Sequence, residues 1–159
     1  MVKLNNLITK VLKILIITVF LALIISCVLQ VFTRFILNSS LSWTEELARY
    51  SFIWANLLGA ALCTKSKSNA TVSVVTENIS DKNRKKLSLI INILTILIGT
   101  ILIVFGSKVA WAVRTQLSPA LRISMAFVYM AAPIFGALIT FYSIYDIYMN
   151  MANYMGDDI

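Results

Sequence analysis

Histidine is absent from this sequence, and its absence excludes several classes of function. Histidine is the commonest general base near neutral pH and a frequent ligand of zinc, copper and haem iron. The chain is therefore a poor candidate for histidine-based catalysis, for bis-histidine haem or for a histidine metal site. We expect no cofactor and no metal.

Cysteine is nearly absent too, which argues against redox chemistry. Cys27 and Cys63 stand apart and form no C-x-x-C pair. Each lies in a hydrophobic run, where a free cysteine usually behaves as a small apolar residue. We therefore predict that both are buried without redox function.

Charge is the third scarcity: only 13% of the 159 residues are charged, whereas 59% are hydrophobic and the mean hydropathy is +0.85. This composition is typical of a membrane protein. Uncharged runs cover 14–33, 87–107 and 123–145, and a helix over 42–63 would be as long. The first run exceeds a signal-peptide core and no small-residue cleavage site follows it, which favours a span over a cleaved leader.

The predicted fold class is an all-α membrane protein with four transmembrane helices in a single domain, 1–159. The basic loop 65–86 joins the second and third spans. Its segment "NATVSVVTENIS" places Val72, Val75 and Ile79 at helical spacing. A short helix lying in the membrane interface is one interpretation, and a plain polar loop is the other.

Lysine and arginine are distributed unevenly between the two sides. Nine lie in the N-terminal segment and the middle loop, Lys82, Arg84, Lys85 and Lys86 among them, and four lie between the first and second or the third and fourth spans. The positive-inside rule then places both termini and the middle loop in the cytoplasm of a bacterial inner membrane. The net charge of +7 indicates contact with anionic lipids, not nucleic acid.

The start of the second span, "SLSWTEELARY", combines capping signals with charge. Ser42 and Glu45 form an S-x-x-E capping box, and Trp43 fits the aromatic belt of the membrane interface. Both acids lie at the positive end of the helix dipole. The pattern predicts that the helix begins here, with Ser42 as its N-cap.

One face of this helix changes from charged to polar to small. It carries Glu46, Arg49, Asn56, Gly59 and Ala60, a pattern that favours packing against another membrane helix. Arg34 closes the first span, and a tight hairpin would bring it near Glu45, Glu46 and Arg49. The set is interpreted either as a structural clasp at a subunit interface or as a proton or ion relay. The absence of a carboxylate between Ser51 and Cys63 favours the clasp.

The stretch "VLQVFTRFILNSSLSWTEELARYSFIWANLLGAALCTKSK" resembles the small (Q, DctQ-like) membrane subunit of tripartite ATP-independent periplasmic (TRAP) transporters. That family shows an arginine closing the first span, a W-x-E-E-like turn and an L-G-A-A segment. Further on, "QLSPALRI" and "VYMAAPIFGAL" match its S-P-A-L turn and Y-x-x-x-P pattern at Ser118, Pro119, Tyr129 and Pro133. Members often carry a histidine shortly after L-G-A-A, and none occurs here.

The resemblance implies a role. In such systems a periplasmic binding protein captures an organic acid, such as a dicarboxylate or sialic acid, and a large (M) membrane subunit moves it with sodium. The small subunit binds and braces the large one and offers surface to the binding protein. The residues also leave open a self-sufficient four-helix transporter working as a homodimer and, less favoured because no catalytic set is present, a membrane enzyme.

The predicted topology can be tested with single cysteines in a background lacking Cys27 and Cys63. In intact cells, Ser39→Cys should react with a membrane-impermeant thiol reagent and Ser68→Cys should not, because the nine-to-four charge asymmetry keeps the middle loop inside. Both should react after the membrane is permeabilised. Labelling at Ser68→Cys alone in intact cells would invert the topology.

Overall fold

The computed structural model describes residues 2–36, 38, 41–65 and 81–156. Helices occupy most of these residues and are listed here in chain order: α1 Val2–Phe35, α2 Ser42–Lys65, α3 Asp81–Ala112, the short α4 Met125–Tyr129, and α5 Ala131–Gly156. Within the described ranges the extended structure is limited to an isolated antiparallel bridge between Leu117 and Ser124. The predicted all-α class is confirmed.

Three segments are long and apolar enough to cross a membrane: Lys3–Phe35, Lys86–Ala112 and Met125–Met149. Helix α2 is the fourth long helix, and its charged first turns make it less apolar than the others. The predicted interfacial helix around Val72 lies outside the described residues.

The helices form two pairs, because α1 packs along α2 and α3 packs along α5. Contacts between α2 and α5 join the pairs. The buried core lies where these helices meet, with Leu12 of α1, Leu58 and Ala61 of α2, and Ile139 and Tyr142 of α5. The outward faces of α1 and α3 remain apolar and exposed, as expected for surfaces that meet lipid or another membrane protein.

Helices α3 and α5 approach closely because glycines face each other across the contact. A Cβ placed on Gly136 would lie 2.6 Å from the carbonyl oxygen of Gly99, well inside contact distance. About two helical turns further along α3, Gly106 leaves room for the ring of Pro133. Small residues at a helix contact let the backbones approach each other, which is a common means of association in membranes.

Pro133 explains why the predicted fourth span is divided into α4 and α5. A proline donates no backbone hydrogen bond, and its ring crowds the carbonyl four residues earlier, here that of Tyr129. Helix α4 ends at Tyr129, and α5 begins two residues later at Ala131. The chain stays in the right-handed helical region at Met130, with φ −63° and ψ −16°.

The prediction for the cysteines is wrong. Both Cys27 and Cys63 are exposed on the helix surfaces. A membrane helix is apolar on its lipid-facing side as well as on its buried side, so hydrophobic surroundings in the sequence do not distinguish the two positions.

The glycine contact gives a test with a matched control. Gly136→Ala should lower the free energy of unfolding in detergent by about 1–3 kcal/mol, because the added methyl group meets backbone atoms that cannot rotate away. Gly59→Ala should have little effect, since a Cβ at Gly59 meets nothing within 4 Å. Equal stability of the two variants in chemical denaturation would contradict the α3–α5 contact.

Candidate functional site

The loop between α3 and α4 is folded tightly by its own hydrogen bonds. The Ser118 N–H donates to the Ile123 carbonyl at 2.9 Å, and the Met125 N–H donates to the Gln116 carbonyl at 2.9 Å. Arg122 adopts a left-handed conformation with φ 54°, which lets the chain reverse within a few residues. We call residues 118–121 the SPAL turn.

Ser124 anchors the far side of this loop to the start of α4. Its hydroxyl donates to the Arg114 carbonyl at 2.7 Å and accepts from the Ala126 N–H at 3.3 Å, as a helix N-cap does. The loop is therefore held at both ends. Two of its N–H groups, those of Ala120 and Leu121, bond to α2.

The side chain of Glu46 accepts both of these N–H groups. Its Oε2 lies 2.9 Å from the Ala120 nitrogen and 2.7 Å from the Leu121 nitrogen, and its Oε1 accepts a short hydrogen bond from the Tyr50 hydroxyl. Glu46 is only 7% exposed. Both oxygens of the carboxylate are thus bonded to donors, and charge-assisted bonds of this kind are among the stronger ones in proteins.

This geometry favours the structural interpretation of Glu46. A relay group has to exchange its proton with successive partners, whereas this carboxylate is fixed between backbone donors and one tyrosine. Its bonds connect α2 to a loop 74 and 75 positions further along the chain. Glu46 and the SPAL turn, two separate motifs in the sequence, form one site.

The contact predicted between Arg34 and the acids is not made. Arg34 is exposed, and among the described residues its side chain forms no ion pair with Glu45 or Glu46. Arg49 pairs instead with Glu45 at 3.0 Å on the exposed face of α2. The Glu46 carboxylate accepts hydrogen bonds from backbone N–H groups, which stabilise its charge without an arginine.

The predicted capping box is also wrong. Helix α2 already includes Ser42, so this residue does not occupy the cap position. Thr44 is fully buried, and its hydroxyl donates to the Leu41 carbonyl at 2.7 Å. Trp43 is partly exposed beside it, as a residue of an aromatic belt would be.

An open groove of about 640 Å³ lies beside Glu46, between α2 and the loop. Arg49 and Ile53 contribute to its α2 side, and Pro119, Met125 and Tyr129 to its other side. Two of the family-motif positions, Pro119 and Tyr129, therefore line this groove. The other two, Ser118 and Pro133, are buried.

The remaining predicted positions of α2 lie on its outward face. Asn56 is exposed, and its amide donates to the Phe52 carbonyl of its own helix at 2.8 Å. Nothing approaches Gly59, and Ala60 is exposed. We call Asn56, Gly59 and Ala60 the α2 outward face.

The basic residues before the third span are only partly described. Lys86 is exposed at the start of α3. The side chains of Lys82, Arg84 and Lys85 lie outside the described part of the structure.

A second polar cluster, at the opposite end of the bundle, was not predicted. The Asn92 amide donates to Asp146 Oδ2 at 2.9 Å, and the Lys65 ammonium donates to the Thr9 hydroxyl at 2.7 Å. The sequence pattern assigned no partner to Asn92. The missed signal was Asp146, a single acid just beyond the fourth uncharged run, which gave no hint of its neighbours.

The described residues include no cluster of three or more Cys, Asp or Glu side chains that could hold a metal ion. The contacts observed at the site described above are hydrogen bonds and helix packing. Three apolar segments of spanning length, a buried carboxylate that ties a loop to a helix, and an exposed helix face of small residues define a helical membrane protein.

Comparison with known proteins identifies the family. The model of the DctQ component of tripartite ATP-independent periplasmic transporters matches residues 23–153, most of the chain. The chain belongs to this family of TRAP transporter small permease subunits. It is a multi-pass membrane protein of the inner membrane and a transport subunit, not an enzyme.

Individual relatives agree with this assignment. Two Haemophilus influenzae proteins named as TRAP transporter small permeases are 31% identical over 102 residues, covering 64% of this chain and 61% of the relative, and 30% identical over 138 residues, covering 86% and 85%. The sialic acid TRAP transporter permease SiaT of H. influenzae is 24% identical over 124 residues, which cover 78% of this chain but 20% of that protein.

The buried carboxylate gives the test of this site. Glu46→Ala should lower the free energy of unfolding by about 2–4 kcal/mol, because two backbone N–H groups and the Tyr50 hydroxyl lose a charged acceptor. Glu45→Ala is the matched control and should cost about 0.5 kcal/mol or less, since its pair with Arg49 is exposed.

Chemical denaturation of the purified variants in detergent measures both changes in the free energy of unfolding. Hydrogen exchange at the Ala120 and Leu121 amides provides a local readout, and it should accelerate in Glu46→Ala alone. Equal effects of the two substitutions would contradict the proposed tie between α2 and the SPAL turn.

Proposed function

We propose that this chain is the small subunit that binds and braces the large transport subunit of a sodium-coupled, binding-protein-dependent TRAP transporter for organic acids. The observation that carries the proposal is the α2 outward face, which is exposed, polar and small in the middle of a long helix. Family membership indicates that the chain is part of a transporter, and this face is the proposed contact surface for the large subunit.

Helix α2 is proposed as the fourth span. Its 24 residues correspond to about 36 Å of helix, more than the roughly 30 Å thickness of the hydrocarbon core. It packs along α1 and contacts α5, both of which contain spanning segments. Charges in its first turns, Glu45 and Arg49, would lie at the membrane interface with Trp43.

A span with this outward face suits a protein neighbour better than lipid. Exposed Asn56 has an amide that can hydrogen-bond to another helix, and lipid tails offer no partner for it. Gly59 leaves its backbone open to close approach, as small residues do at helix contacts in membranes. We infer that the large subunit packs against Asn56, Gly59 and Ala60.

The SiaT relative supports a large partner. The region similar to this chain makes up only one fifth of that permease, so a segment of this kind occurs there in one polypeptide with a much longer remainder. A separate chain would then meet the corresponding large part as a second subunit. The sialic acid named for that relative supports an organic acid as the substrate class.

The orientation follows from the charge distribution. With the basic segment 65–86 in the cytoplasm, the SPAL turn and the groove beside Glu46 face the periplasm, since they lie at the other end of the helices. We propose that this end offers surface to the binding protein. Lys82, Arg84, Lys85 and Lys86 would meet anionic lipids on the cytoplasmic side.

Assembly and transport test the proposal together. The chain should co-purify with the large subunit of its transporter, and liposomes containing this chain alone should take up no organic acid under an inward sodium gradient. Uptake should require the large subunit and the binding protein as well. Uptake by the chain alone would instead establish a self-sufficient small transporter.

One substitution tests the proposed face directly. Gly59→Leu should reduce co-purification and uptake because it fills the open side of α2, whereas the isolated chain should stay folded since nothing lies within 4 Å of that position. The control is Val104→Phe, an exposed position on α3 that lies outside the α2 outward face. If Gly59→Leu assembles as well as the wild type, the large subunit binds elsewhere.

A further inference from the structure

Four residues at the end of α3 and just beyond it alternate between aromatic and cationic side chains at a spacing of three. They are Phe105, Lys108, Trp111 and Arg114, and we call them the aromatic–cation row. Residues three apart are neighbours on the surface of a helix. All four side chains are exposed. Neither the family assignment nor the proposed function gives this row a role.

Each cation of the row lies against the aromatic ring that precedes it. The Lys108 ammonium is 5.5 Å from the centre of the Phe105 ring, and the Arg114 guanidinium is 4.2 Å from the centre of the Trp111 ring. One N–H of Arg114 also donates to the Trp111 carbonyl at 3.0 Å. The face of an aromatic ring attracts a cation without accepting all of its hydrogen bonds, so both cations keep N–H groups for an anionic acceptor.

Among the described residues, no acidic side chain pairs with either cation. The charged residues at this end of the bundle are all described, and they are Arg34, Glu45, Glu46, Arg49, Lys108, Arg114 and Arg122. Of the two acids, Glu45 pairs with Arg49, and Glu46 accepts from the SPAL turn and from Tyr50. This end therefore carries an excess of positive charge.

The remaining acids of the sequence belong to the opposite end of the bundle. Asp81 begins α3, and Lys108 lies about 40 Å of helix beyond it. Glu77 precedes Asp81 by four positions, which even an extended chain covers in about 14 Å. Asp146 bonds to α3 about 24 Å of helix before Lys108, and residues 157–158 follow the end of α5. None of these acids reaches the row.

The row lies where the hydrocarbon core meets the layer of lipid phosphates. The uncharged run 87–107 corresponds to about 32 Å of helix, close to the roughly 30 Å thickness of the hydrocarbon core. Lys86 and Lys108 therefore mark its two edges, and Trp111 fits the aromatic belt just beyond. A cation at this depth has lost part of its water, which strengthens its attraction to an anion.

The face of α3 that leads to the row has the character of a lipid-facing surface. Its side chains recur at spacings of three and four and are large, apolar and exposed: Ile90, Leu94, Leu97 and Ile101. The glycines Gly99 and Gly106 are directed at α5 instead. Protein contacts in membranes favour small residues, as on the α2 outward face, so the bulky face of α3 suits acyl chains better.

We propose that the aromatic–cation row binds the phosphate of an anionic phospholipid, such as phosphatidylglycerol, whose acyl chains lie along this face of α3. Lys108 and Arg114 would donate to the phosphate oxygens. A headgroup that adds an ammonium, as that of phosphatidylcholine does, is disfavoured because its positive charge would meet two cations and no acid. With the proposed topology, the lipid belongs to the outer leaflet. Binding would be a property of this chain alone, whatever its partner.

Quenching of Trp111 fluorescence by brominated lipids tests the proposal, because bromine quenches only tryptophans close to it. Trp43→Phe and Trp54→Phe leave Trp111 as the only tryptophan of the full-length chain. The protein is reconstituted in vesicles of equal parts phosphatidylglycerol and phosphatidylcholine, with bromine on the acyl chains of one lipid at a time. Brominated phosphatidylglycerol should quench more strongly, with a relative affinity about tenfold higher.

Charge substitutions at the row should remove this preference. Lys108→Gln and Arg114→Gln should each lower it several-fold, the double variant should abolish it, and Lys108→Arg should keep it. Arg34→Gln is the matched control, because it removes one exposed cation at the same end from α1, which packs on α2 and not on α3. Its preference should be unchanged. Variants are compared when circular dichroism and elution volume match those of the single-tryptophan protein.

Equal quenching by the two brominated lipids, or an unchanged preference in the double variant, would overturn the proposal. An equal loss in Arg34→Gln and Lys108→Gln would also overturn it, since general surface charge would then explain the effect. Displacement of brominated phosphatidylglycerol by inorganic phosphate at constant ionic strength would overturn the lipid as the source of the phosphate. Protection of Trp111 from both lipids in the complex with the large subunit would assign the row to a protein contact instead.

Discussion

The bonds from Glu46 to the SPAL turn are the constraint on which the architecture of this end of the bundle depends. The helices form two pairs, α1 with α2 and α3 with α5. One carboxylate oxygen accepts the N–H groups of Ala120 and Leu121 and thereby fixes the loop of one pair to a helix of the other. The groove beside Glu46 exists because this tie sets the distance between α2 and the loop.

The family relationship and the contacts of the residues are both consistent with the proposed bracing role. The described part of the chain contains no clustered metal ligands, its buried carboxylate is held by fixed donors, and its α2 outward face is small and polar. A bracing subunit needs firm connections between its helices and a surface for close packing. The bonds from Glu46 and the α2 outward face are consistent with these needs, and the DctQ family membership assigns the chain to a transporter.

The sequence predicted the helical class well because hydropathy is a local property. Runs of uncharged residues located three apolar spanning segments, but the division of the last one near Pro133 was not predicted. Side-chain partners were predicted poorly. Glu46 was placed on a polar face and paired with arginines, since its actual partners lie 74 and 75 positions away and are backbone N–H groups that no residue type reveals. The second polar cluster, with its Asn92–Asp146 and Lys65–Thr9 contacts, was also missed, because it depends on how four helices are aligned.

The position of the polar contacts also has a consequence for movement. Glu46 ties the two helix pairs at one end, and near the other end the Thr9 hydroxyl lies 2.7 Å from Lys65 and 3.5 Å from the Tyr142 hydroxyl, linking α1, α2 and α5. Because polar contacts connect the helix pairs near both ends of the bundle, neither pair has an unconnected end at which it could rotate relative to the other. Domain closure generally needs a hinge or a sliding interface. We therefore expect this subunit to keep one shape and, in the proposed bracing role, to serve as a stationary reference for any parts of the large subunit that move.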